Sequence, residues 1–114
     1  MMSDEKLTDG NIPVEISNLE GLIDFQKDSV VSKTIIGKKT GTVTLFAFDK
    51  GQGLSEHTAA YDAMVYIMDG EAQITIDGKE IIVKKGEMVM LPANKPHALK
   101  ALIQYKMLLV MIKS

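Results

Sequence analysis

Cysteine is absent from this 114-residue chain. That excludes a disulfide framework, a thiolate metal centre and a cysteine nucleophile, and it fits a reducing compartment. Long apolar runs are missing as well, since none reaches the ~18 residues needed to span a bilayer. Residues 1–11 are polar and mixed in charge, without the apolar centre of a signal peptide, so a cytoplasmic location is expected. Excess charge of either sign is lacking. A formal net charge of −2 offers no basic surface for nucleic acid or an anionic membrane, and neither partner is expected. No glycine-rich phosphate loop precedes a helix, and no serine sits in a nucleophile elbow. The carboxylates scatter over turns and exposed faces without forming an acid–base pair.

What is present is β structure. Apolar residues make up 46% and charged residues 25% of the chain, the balance of a globular domain, and the length suits one core. Apolar and β-branched runs at 30–36, 42–48, 63–68, 72–76, 80–83, 88–91, 98–103 and 105–112 read as strands, with a shorter one at 14–16. Turn signals separate them at 37–41, 50–53, Asp69-Gly70, Asp77-Gly78, Lys85-Gly86 and 92–96. Residues 18–25 read equally as one helical turn or a loop. About ten short strands at even spacing predict an all-β sandwich or barrel over residues 13–114, after a tail at 1–12 with a turn at 8–11. Alternation in 42–48 puts Val43, Leu45 and Ala47 on one face and Phe46 and Phe48 on the other. The segment 63–68 is apolar on both faces, which predicts cover on both sides. Met64, Met68, Met88, Met90, Met107 and Met111 all fall in apolar strands. Core filling is the preferred reading of these flexible thioethers over an adaptable binding surface.

The chain has only two histidines, His57 and His97, each in a patterned segment. His57 is followed by Ala59, Ala63 and Gly70. Before His97 come Gly86, Pro92 and Asn94, and Ala101 follows. These spacings resemble the two motifs of the cupin family. In the first motif His57 fills the leading histidine position, Ala59 the second histidine, Ala63 the glutamate, and Gly70 closes it. In the second motif Gly86, Pro92 and His97 match, while Asn94 stands for a glycine and Ala101 for a terminal asparagine. The resemblance implies a double-stranded β-helix, the jelly-roll cupin barrel. It also implies that the two motifs lie on neighbouring strands and bring His57 and His97 together in the barrel mouth. Half of the family's four-ligand metal set is replaced by alanine.

Two imidazoles aimed at one point can begin a metal site, for which Zn, Ni, Fe or Mn are the candidate divalent ions. Two protein ligands fall short of the three or four that zinc sites use, and otherwise no cofactor is expected. Alternation from His57 directs Ala59, Tyr61 and Ala63 inward, with Asp62 facing away unless a bulge turns it. The alanines hollow and depolarise the pocket, and Val65, Leu99 and Ala101 continue its walls. His57, His97, Tyr61 and Gln73 are its polar groups. Two functions follow. The first is a binding module that holds a small molecule in the pocket, with or without a divalent metal on His57 and His97. The alternative is a metal-dependent cupin enzyme, an oxygenase or isomerase, which needs a third ligand. The resemblance and an open sheet edge also imply a homodimer.

Overall fold

The computed structural model describes residues 14–113. The tail read over residues 1–12, with its turn at 8–11, lies outside them. Nine strands follow in chain order: β1 (Val30–Lys38), β2 (Gly41–Phe48), β3 (Gly53–His57), β4 (Asp62–Asp69), β5 (Glu71–Ile76), β6 (Lys79–Lys84), β7 (Met88–Leu91), β8 (His97–Lys100) and β9 (Tyr105–Ile112). They form a five-stranded sheet, β1-β2-β9-β4-β7, and a four-stranded sheet, β3-β8-β5-β6. Every neighbouring pair is antiparallel. The two sheets face each other as a jelly roll.

The alternation read in the sequence sets the core. Phe48, Val65, Ile67, Ala72, Ile74, Leu99, Tyr105 and Met107 form the main cluster between the sheets. The Phe48 and Tyr105 rings stack there at 4.5 Å and 10°. The opposite face of β2 carries Leu45 and Ala47, which are also fully buried. Their cover is the N-terminal arm: Ile23 packs on Leu45, Ala47 and Met68 as a second, smaller cluster. A single 3₁₀ turn, Leu19–Leu22, introduces this arm, and the Asn18 side chain accepts from the Glu20 amide at its start. Lys106 anchors it by donating to the Glu20 carbonyl at 2.7 Å and by standing 5.2 Å over the Phe25 ring.

Three expectations need correction. Residues 14–16 form no strand; Val14 and Ile16 are fully exposed and find no ladder partner among the described residues. The strand expected over 98–103 ends at Lys100. Ala101 there exchanges backbone hydrogen bonds with Gly51 and Gln52 rather than with a strand, and Leu102 and Ile103 project from the turn. Cover on both faces of β4 is incomplete: Ala63, Val65 and Ile67 are buried inside the barrel and Met68 lies under the arm, while Tyr66 faces outward and is exposed.

Candidate functional site

His57 and His97 are direct cross-strand partners on β3 and β8, which closes the forty-residue gap between them. A register shift between Leu54 and His57 inserts one extra residue into β3. This bulge restores the inward face, so Leu54 and His57 both line one cavity although three residues apart. Two further bonds clip the motifs together. The Asn94 amide donates to the Ala59 carbonyl at 2.7 Å, and the Ala93 amide to Asp62 Oδ1 at 2.8 Å. Asn94 sits at φ +64°, the left-handed conformation that asparagine tolerates better than most residues, and so it can replace the motif's glycine.

The imidazoles meet at Nε2···Nε2 3.1 Å, with ring planes at 70°. His57 Nδ1 lies 2.8 Å from the Ser55 carbonyl and His97 Nδ1 3.2 Å from the Lys95 carbonyl. A carbonyl only accepts, so the tautomer that satisfies both of these contacts carries its proton on Nδ1 in each ring. In the neutral rings both Nε2 atoms are then bare acceptors. The ring centroids stand 4.3 Å apart, little more than the nitrogens themselves, so the rings meet obliquely rather than end to end. Their lone pairs enter a shared space.

Burial pulls the His97 imidazole below its usual 6.5; the Lys95 carbonyl opposes the shift and the neighbouring His57 ring adds to it. Below pH 6.5 the unfolded chain therefore binds more protons at this residue than the folded one. The expected result is a His97 imidazole that titrates below 6.5 in NMR, and urea melts showing lower stability at pH 5 than at pH 7 from this group. A His97 midpoint above the reference value would contradict it.

The cavity measures about 60 Å³ and is walled by His57, Ala59, Tyr61, Ala63, His97 and Leu99, all expected, together with Leu54, Leu91, Met107, Leu109 and Met111, which were not. The expected Val65, Gln73 and Ala101 do not reach it. Val65 and Ala101 are fully buried in the core around it. Gln73 lies between the buried Ala72 and Ile74 on β5 and so faces away from the barrel. Met107, Leu109 and Met111 alternate along β9, but apolar residues on both faces of that strand concealed which side was inward. The methionines there line the cavity as well as fill the core. Asp62 is engaged by Ala93, and among the described residues no three His, Cys, Asp or Glu side chains come together. The family's four-ligand divalent site therefore does not fit: two nitrogens are present, and Ala59 and Ala63 supply nothing.

A family model for the cupin domain matches residues 44–112. Among solved structures, a conserved protein of unknown function from Streptococcus pyogenes is 35% identical and superposes with a TM-score of 0.85 over 90% of both chains. A cupin superfamily protein from Desulfitobacterium hafniense is 30% identical, with a TM-score of 0.84 over 91% of this chain and 96% of its own. A cupin 2 conserved barrel domain protein from Leptotrichia buccalis is 42% identical, with a TM-score of 0.83 over 85% of this chain. The match takes in 47% of that protein, so the chain spans about half its length. The curated proteins offer no match. With its two sheets, both motifs in register and these relatives, the chain belongs to the cupin family.

Proposed function

We propose that this cupin is a binding module whose barrel-mouth cavity holds a small molecule bearing a hydrogen-bond donor. The observation that carries this reading is the pair of Nε2 atoms entering one cavity whose remaining wall, Tyr61 apart, is apolar. An amino group placed between the rings satisfies both, and a hydroxyl one of them, while Leu54, Leu99 and Leu109 take up its hydrocarbon part. Size limits the choice. A cavity that takes up benzene measures about 150 Å³, well beyond the 60 Å³ present, so the ligand is a few heavy atoms across. The enzyme alternative requires a third ligand and draws no support from the donor set. Short-chain alcohols and amines titrated into isotope-labelled protein are expected to move the imidazole resonances of both histidines. In His57→Ala the response should disappear. Imidazole signals that stay unmoved by the whole panel at millimolar concentration would defeat this reading.

The module acts as a homodimer in the same proposal. The arm from Leu19 to Phe25 covers only part of the outer face of the five-stranded sheet. Beyond it Tyr66, Met88, Met90 and Ile112 are exposed, next to the half-buried Met64 and Val110. They are contiguous, since Met64 pairs with Met90 and Val110, and Tyr66 with Met88. A self-complementary apolar patch of this kind suits a two-fold interface. Sedimentation should give twice the 12.5 kDa chain mass, and the Met88→Glu, Met90→Glu variant should give a folded monomer. A parent that sediments as a monomer at micromolar concentration would count against the dimer.

A further inference from the structure

Where two of the family's ligands have gone, the cavity has gained sulfur. Met111 on β9 is the cross-strand partner of Ala63, the residue standing in the family's glutamate position. Met107 lies four residues earlier on the same inward face, and both side chains line the cavity with His57 and His97. The donors available there are two imidazole nitrogens, two thioethers and the Tyr61 hydroxyl. No thiolate exists in the chain. The neighbouring carboxylate, Asp62, accepts from the Ala93 amide instead.

This set discriminates between ions. A divalent cation entering this cavity loses its hydration and meets no carboxylate among the described residues, so little offsets the charge it brings. A monovalent soft ion loses less, and imidazole with thioether is a donor set that selects copper(I). The nitrogens are already close enough to share one ion. At a metal–nitrogen distance of about 2 Å, their 3.1 Å separation corresponds to an angle of about 100° at the metal. Methionine is flexible enough to bring its sulfur to a third position. We infer that this cavity binds one copper(I) ion through Nε2 of His57, Nε2 of His97 and the thioether of Met111. Ligation uses lone pairs only. Both Nδ1 protons stay on their nitrogens, donated to the Ser55 and Lys95 carbonyls, and no electron is exchanged. The inference shares the cavity of the reading above but not its ligand, so each stands or falls separately.

The test is an anaerobic titration of the tag-free protein with copper(I) against a chromogenic copper(I) chelator, with X-ray absorption on the loaded sample. One copper per chain is expected, with sulfur in its first shell. Zinc(II) and nickel(II), titrated alone, should bind at least about a hundredfold more weakly, and Met111→Leu should weaken copper(I) at least about tenfold while removing the sulfur. Zinc(II) binding as tightly as copper(I), a nitrogen-only shell in the parent, or sulfur retained in Met111→Leu would each overturn the assignment. The absorption measurement on the parent decides even if Met111→Leu proves unstable. Alcohol or amine binding is read on the metal-free parent, so a parent that binds them but shows a nitrogen-only copper shell loses the copper site alone, and one that takes copper(I) with sulfur but binds neither loses the proposed function alone.

Discussion

An Ala59→His, Ala63→Glu double variant is expected to bind zinc(II) or nickel(II) at least about a hundredfold more tightly than the parent, a gain of roughly 3 kcal/mol. Both positions already face the cavity that holds His57 and His97, so the variant adds a third nitrogen and an anionic oxygen around one point. Four such donors make a closed zinc site, whereas two do not. The metal-free variant should be less stable than the parent, because Ala63 is buried and a glutamate there places a carboxylate in an apolar wall. Metal reverses that loss: at about a thousand times Kd the ion adds roughly 4 kcal/mol to folding. Calorimetric titration together with thermal melts, with and without zinc, reads both effects. If the variant bound metal no better than the parent, Ala59 and Ala63 would not occupy the positions that the motif assigns to them.

Much of this site was legible because it rests on strand alternation and on turns with strong local signals. Asp77-Gly78 and Lys85-Gly86 turn where the dipeptides place them, with Asp77, Gly78 and Gly86 at positive φ. Ala59, Tyr61 and Ala63 reach the cavity as counting from His57 directs. Leu54 escaped that counting because the bulge before His57 reverses the parity of β3, and nothing local in Leu54-Ser55-Glu56 announces it. Gln73 was placed on the wrong face although the sequence carries the signal. Its alternation with the apolar Ala72, Ile74 and Ile76 already puts it on the outer face, and its pairing with Lys100, next to the inward couple Ile74 and Leu99, agrees.

The N-terminal segment shows the other limit. Val14 and Ile16 have the composition of a strand, yet a strand exists only where a neighbouring edge accepts its hydrogen bonds, and among the described residues they have none. The arm that follows was ambiguous because its order comes from burying Ile23 against Leu45, Ala47 and Met68. No periodicity within eight residues encodes such a contact.

Gly70→Ala is expected to cost about 2–5 kcal/mol, as backbone strain and steric overlap combine. Gly70 closes the first motif between β4 and β5 at φ +73°, a region that alanine enters only with strain. A Cβ there would run into the Gln104 carbonyl and crowd the Cα and Cβ of Tyr105 at 3.0 Å. Those atoms cannot give way cheaply, since Tyr105 is fully buried and stacked on Phe48. Gly78 is the natural control. It has a similar φ of +81°, but a Cβ there meets nothing within 4 Å, so Gly78→Ala should lose only the backbone part, about 1–2 kcal/mol. The Gly70 loss is a large share of a domain stability of roughly 5–15 kcal/mol. It should also reach the site, because moving Tyr105 shifts the start of β9, the strand that carries Met107 and Met111 into the cavity. Urea unfolding of the two variants gives the comparison directly. Equal losses would mean that the turn after β4 does not press against Gln104 as the structure places it.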